Sequence, residues 1–100
     1  MSLTHETMKR LEYLFVGKDR EEAASLLEHE CGNNLPFLER LSPVELQRYH
    51  FAALKLSKGD LRLLRRAVEE AKQDWRDVLI AAGFGDSCAA HLSWHPEQDG

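Results

Sequence analysis

Apolar residues recur at helical spacing through the second half of the chain and form a single stripe. The stripe comprises Leu61, Leu64, Val68, Ala71, Trp75, Val78, Leu79 and Ala82. Steps of three and four residues place these side chains on one face of an α-helix, and charged residues occupy the other faces. The pattern therefore predicts a long amphipathic helix that buries one face against the rest of the chain.

Residues typical of helix ends bound this fourth predicted helix. Asp60 is the expected N-cap, and Gly83 followed by Phe84 is typical of a C-terminal cap with its hydrophobic contact. Asp74 introduces an alternative, because its side chain could cap a second helical segment. The uninterrupted apolar spacing favours one continuous helix between the two outer caps.

Two shorter amphipathic segments occur near the N-terminus. The first predicts a helix over about residues 4–16, which Gly17 can close in a left-handed conformation. Asp19 is then the expected cap of the second helix, with Glu22 as the reciprocal partner in a capping box. Gly32 is expected to end that helix.

A third helix is predicted over about residues 43–56, after a Ser-Pro start signal, and its apolar residues cover more than one face. A short last helix is expected over about residues 86–94, before Pro96. No segment alternates with the period of two that a half-buried strand requires. The predicted fold class is all-α: a compact antiparallel bundle of four main helices plus a short C-terminal helix, forming a single domain over residues 1–100.

The predicted core draws on all parts of the chain. It comprises Leu11, Phe15, Leu27, Phe37, Phe51, Leu54, Leu61, Leu64, Val68, Trp75, Val78, Leu79 and Phe84.

Composition agrees with an ordinary globular protein. The chain has 100 residues, of which 43% are hydrophobic, and it carries a net charge of −4. No apolar run approaches the length of a membrane span, and no signal peptide is recognisable, so a cytoplasmic protein without membrane contact is expected. The acidic balance argues against nucleic acid as a partner. Cys31 and Cys88 are expected as buried, reduced thiols.

Three segments resemble parts of small uncharacterised bacterial proteins. They are NNLPF at 33–37, FAALKLS at 51–57, and DWRDVL at 74–79 with AAGF at 81–84. The resemblance implies an all-helical fold and a bacterial origin. It implies no activity, cofactor or catalytic residue.

One thiol and two imidazoles near the C-terminus are a candidate metal site. Cys88, His91 and His95 are spaced to share one face of a helix, and this ligand set suits zinc or copper. Pro96 follows directly and weakens that helix, and no second ligand pair occurs elsewhere. The alternative is a buried thiol with two histidines near the surface; we expect neither a bound metal nor another cofactor.

A cluster of cations, here called the basic corner, lies around the predicted turn between the third and fourth helices. It comprises Arg48, Lys55, Lys58, Arg62, Arg65 and Arg66. Two helices joined by a short turn are compatible with a helix-turn-helix, so these cations could meet phosphates or an acidic partner. The predicted fourth helix offers no Asn, Gln, Ser or Thr between Leu61 and Lys72 to read base edges.

Amphipathic residues without a certain place in the core indicate an interface. They are Tyr13, Tyr49, His50 and Trp94. No nucleophile elbow, phosphate loop or dinucleotide motif occurs in the sequence. The leading hypothesis is a non-catalytic protein-interaction module, not an enzyme, that binds a partner protein or a second copy. Its candidate contact residues are Arg62, Arg65, Arg66, Tyr49 and Trp94; the alternatives are nucleic-acid association through the basic corner and, as the weaker one, metal binding.

Overall fold

Four helices account for most of the described chain. In the computed structural model α1 covers His5–Leu14, α2 covers Lys18–Glu30, α3 covers Pro43–Ser57 and α4 covers Leu61–Ala82. The structure describes residues 3–31, 43–84, 91, 94 and 96, with side chains in α3 from Leu46 onward. These residues include no strand, which confirms the all-helical prediction for this part of the chain. The predicted C-terminal helix lies outside the described residues except for His91 and Trp94.

α3 is the helix around which the others pack. Its successive residues Phe51, Ala52, Ala53 and Leu54 are all fully buried. Successive residues are about 100° apart around a helix, so four in a row leave no side of this segment facing solvent. α3 packs most extensively against α4 and also against α1, while α2 packs against α1 and α4. This burial agrees with the sequence, in which the apolar residues of the third helix cover more than one face.

The observed core matches most of the predicted one. Leu11, Phe15, Leu27, Phe51, Leu54, Leu64, Val68, Val78, Leu79 and Phe84 are buried. Leu61 and Trp75 are only partly buried and pack against its edge, and Phe37 lies outside the described residues. The radius of gyration, 11.9 Å, is that of a compact domain of this length. None of the described helices is both apolar enough and long enough to cross a bilayer.

Both outer ends of α4 are capped as predicted. The Asp60 carboxylate accepts a hydrogen bond from the backbone N–H of Arg62 at 2.8 Å. At the other end Gly83 is left-handed, with φ 82°, and the N–H of Phe84 donates to the carbonyl of Leu79 at 2.8 Å. This bond, with burial of the Phe84 ring, forms a Schellman-type cap.

α4 bends at Asp74, so the expectation of one uninterrupted helix is wrong. Asp74 has φ −156° and ψ 100°, which is extended backbone. Its Oδ1 accepts a hydrogen bond from the backbone N–H of Arg76 at 3.0 Å, as the N-cap of a new helical segment does. Residues on both sides of the bend stay on the buried face, including Ala71 and Val78. The periodicity therefore does not reveal the bend.

The expected Asp19 cap is also wrong. α2 begins at Lys18, one residue before the expected cap. Gly17 therefore occupies the capping position, with φ 59° and without a side-chain hydrogen bond. Asp19 lies in the first turn, where a carboxylate still stabilises the positive end of the helix. The charge of Asp19 therefore acts from the first turn of α2 and not from the capping position.

A side chain from α2 satisfies the last carbonyls of α1. Arg20 donates from Nη2 to the carbonyl of Glu12 at 2.9 Å and from Nε to the carbonyl of Phe15 at 3.1 Å. α1 ends at Leu14, two residues earlier than predicted. Because a guanidinium caps this end, the left-handed closure expected at Gly17 is not needed.

We expect Asp74→Ala to lower the free energy of unfolding by about 1 kcal/mol, because the variant loses the capping hydrogen bond at the bend. Asp77→Ala, one turn later, is the matched control and should leave stability within about 0.5 kcal/mol of wild type. Urea denaturation measures both. Equal stability of Asp74→Ala and wild type would show that the side chain does not hold the bend.

Candidate functional site

A groove opens between the end of α1 and the C-terminal part of α3. Its volume is about 510 Å³, which is within the range of ligand-binding clefts. Its walls are formed by Tyr13, Leu14, Leu54, Lys55, Lys58, Trp94 and Pro96. Leu54 and Trp94 are buried and form the base, whereas the Tyr13 side chain is 57% exposed and stands at the mouth.

The turn after α3 fixes one side of this groove. Lys58 and Gly59 are both left-handed, with φ 52° and 81°. A Cβ atom added at Gly59 would lie 3.2 Å from the carbonyl oxygen of Leu14, so the turn packs tightly against the end of α1. This close approach requires glycine and places Lys58 beside the last residues of α1.

A buried arginine holds the part of the groove that contains Trp94. Arg10 is 5% exposed, and its Nε donates to the carbonyl of Trp94 at 3.0 Å. Its Cζ lies 4.2 Å from the centroid of the Phe51 ring, and its Nη1 pairs with the carboxylate of Glu6 at 2.9 Å. The Trp94 and Phe51 rings meet edge to face, with centroids 6.0 Å apart. The guanidinium thus anchors Trp94, at the base of the groove, to α1 and α3.

The two lysines of the groove have no described carboxylate partner. The Nζ of Lys55 lies 5.1 Å from the centroid of the Phe84 ring, a cation–π distance that orients the ammonium without neutralising it. Lys58 is exposed. Across residues 3–31 and 46–84, no ion pair involves either lysine.

The rest of the basic corner has different surroundings. Arg62 pairs with the Asp60 carboxylate at 3.5 Å, and Arg65 pairs with Glu22 of α2. Arg66 is exposed. Phosphate binding at Arg62 or Arg65 would compete with an existing carboxylate partner.

Arg48, the first cation of the basic corner, is half-buried. Its Nη2 donates to the carbonyl of Phe84 at 3.4 Å, and its Cζ lies 5.9 Å from the centroid of the Tyr49 ring. It therefore supports the packing of α3 against the end of α4.

Of the four amphipathic residues expected at an interface, three are buried. Tyr49 meets the Trp75 ring edge to face, with centroids 5.4 Å apart and planes at 87°. Trp94 is buried and forms part of the groove base, and His50 is fully buried. Tyr13 alone is exposed. The sequence marked it as amphipathic but carried no signal that Leu14 and Lys58 would join it.

The candidate metal ligands fall mostly outside the described residues, which include neither Cys88 nor His95. His91 is buried, and its Nε2 accepts a hydrogen bond from the amide of Gln47 at 3.4 Å. The other end of that amide accepts from Thr4 Oγ1 at 2.7 Å. His91 therefore belongs to a buried polar chain that joins α1 and α3. Among the residues that the structure describes, no three His, Cys, Asp or Glu side chains are grouped to hold a metal.

A second buried pair joins α2 to α3. His50 donates from Nε2 to the carbonyl of Cys31 at 2.7 Å, and burial lowers the pKa of His50 to about 4. Burial also raises the pKa of the Cys31 thiol to about 12. At neutral pH both groups are uncharged, so neither the nucleophilic thiolate nor the imidazolium acid is populated.

In comparisons with known proteins, the chain matches no family model, no curated protein and no solved structure. The groove, with its apolar base and its two lysines, is the arrangement of described residues that is most suited to binding.

We expect stability to fall as the pH is lowered from about 6.5 to about 4, because of His50. The unfolded chain has the ordinary histidine pKa of 6.5, whereas that of the folded chain is about 4. Between these values the unfolded state binds a proton that the folded state does not. The stabilisation is complete above this window, and about 3 kcal/mol is lost across it.

His50→Gln keeps a side-chain N–H donor for the Cys31 carbonyl and removes the titration. Urea unfolding between pH 4 and pH 7 should show a flatter dependence for this variant than for wild type. Other groups titrate equally in both proteins, so the difference isolates His50. Parallel curves would contradict the assignment.

Proposed function

We propose that this chain is a non-catalytic protein-interaction module whose groove between α1 and α3 accepts an apolar side chain from a partner protein. The observation that carries the proposal is the groove itself, with Leu54 and Trp94 at its base and an exposed Tyr13 at its mouth. Protein contact sites have apolar cores enriched in aromatic residues, and their central pockets accept anchoring side chains of the partner.

The exposed apolar surface beside the groove supports this interpretation. Tyr13 is 57% exposed, and Val16, three residues later in the chain, is 72% exposed. Tyr13 lies in the last turn of α1, which forms one wall, and Val16 follows the end of the helix. Neighbouring apolar groups in water favour association because their burial releases ordered water.

The composition of the groove favours binding over catalysis. Its described walls contain a phenol and two ammonium groups but no carboxylate, imidazole or thiol. A general acid–base pair or an activated nucleophile needs groups of those classes within hydrogen-bond reach. Nucleic-acid association through the basic corner is the less supported alternative, because Arg62 and Arg65 already have carboxylate partners.

Two finer features belong to the same proposal. The first is an antiparallel arrangement of the helices, which the short turn between α3 and α4 favours. The second is a location in the cytoplasm of a bacterium, for which the sequence resemblance supports only the bacterial origin.

We expect Tyr13→Asp to weaken partner binding at least about tenfold, the effect of losing one central aromatic contact. Peptides selected on the wild-type chain from a random display library supply the ligands, and fluorescence anisotropy measures their affinity. Ile80→Asp is the matched control, since Ile80 is 68% exposed on α4 and is not a wall residue of the groove. It should leave affinity unchanged.

Failure to select any peptide, or selected peptides that bind Tyr13→Asp as tightly as wild type, would overturn this proposal. Circular dichroism confirms that both variants fold. Sedimentation of the wild-type chain over a range of concentrations shows whether the partner is a second copy.

A further inference from the structure

The groove combines an apolar base with two cations that no described carboxylate neutralises. Lys55 and Lys58 belong to its walls, and neither pairs with a carboxylate in the described part of the chain. By contrast, four of the five cations of α4 form ion pairs: Arg62, Arg65, Lys72 and Arg76. The two lysines are therefore available to an anion that enters the groove.

The positions of the ammonium groups relative to the apolar base determine which chemical groups a fitting anion must present. The Phe84 ring orients the ammonium of Lys55, and the turn against Leu14 positions the backbone of Lys58. Leu54 and Trp94 lie beneath them. A fitting ligand presents an apolar group to this base and a negative charge close beside it.

The net charge of the whole chain is negative, whereas the charged residues of the groove are positive. With a net charge of −4, the molecule repels acidic partners over most of its surface. An acidic segment gains attraction at cations that lack a carboxylate partner, and in the groove two such cations, Lys55 and Lys58, line the same pocket as an apolar base.

We propose that the groove binds a partner segment in which an apolar side chain is flanked by carboxylates. The apolar side chain occupies the base formed by Leu54 and Trp94, and the carboxylates pair with Lys55 and Lys58. This inference rests on the proposed function, because it names the chemistry of the partner at the same groove.

Three short synthetic peptides test it. All share one leucine- and phenylalanine-containing core, which is flanked by glutamate in the first, glutamine in the second and lysine in the third. Fluorescence anisotropy on the full chain should rank the affinities in that order. Because each exposed ion pair contributes at most about 1 kcal/mol, we expect roughly tenfold between the first peptide and the third at low salt. The difference should shrink as salt is added.

Charge-reversal variants assign the preference to the groove. Lys55→Glu with Lys58→Glu should reverse the ranking. Arg62→Glu with Arg66→Glu changes the net charge equally outside the groove walls and should preserve it. If the first variant does not fold, Lys55→Gln with Lys58→Gln should abolish the ranking. Circular dichroism and urea unfolding monitor folding.

The outcomes separate the two proposals. Equal binding of the three peptides, or a ranking that changes in the Arg62 and Arg66 variant, would overturn the acidic-partner inference and leave the groove intact as a binding site. If display-selected peptides bind through Tyr13 while none of the synthetic peptides binds, the inference alone fails. If no peptide of either kind binds, the proposed function fails with it. A lysine variant that loses stability but keeps the ranking would show that these residues only compensate the C-terminal end of α3.

Discussion

The burial of α3 on every side is the constraint on which the rest of the structure depends. Phe51 to Leu54 leave no free face, so this helix cannot be stable unless other elements surround it. The small side chains of Ala52 and Ala53 permit close approach, while Phe51 and Leu54 supply the apolar volume. α4 provides the largest contact and α1 another. The groove lies where these elements leave the end of α3 incompletely covered.

A buried cation then links α1 to the segment that closes this end of the molecule. The guanidinium of Arg10 would be costly to bury alone, because it would lose its hydration. It is stabilised by the Trp94 carbonyl, the carbonyl and carboxylate of Glu6, and the face of the Phe51 ring. Since Trp94 and Phe51 are distant from Arg10 in the sequence, the contacts that stabilise the charge also hold Trp94 at the base of the groove.

The binding that we propose at the groove rests on a contrast between its two lysines and the cations that have carboxylate partners. Several cations elsewhere are compensated by carboxylates, as Arg65 is by Glu22, whereas Lys55 and Lys58 line a groove with an apolar base. The buried imidazole of His50 and the thiol of Cys31 remain neutral inside the core. His50 and Cys31 thus serve packing, whereas Lys55 and Lys58 line the groove.

Local patterns determined most of the secondary structure, because their causes lie within a few residues. The Asp60 and Gly83 caps depend on adjacent backbone groups, and their hydrogen bonds are those that the residue types predict. Asp74 carried two competing local signals, and the one that the structure shows is the capping hydrogen bond from Arg76 at the bend. The groove could not be predicted, since Tyr13, Lys58 and Trp94 are far apart in sequence and meet only through tertiary packing. Which aromatic residues are exposed and which cations remain unpaired are likewise long-range outcomes, decided by the elements that pack against α3.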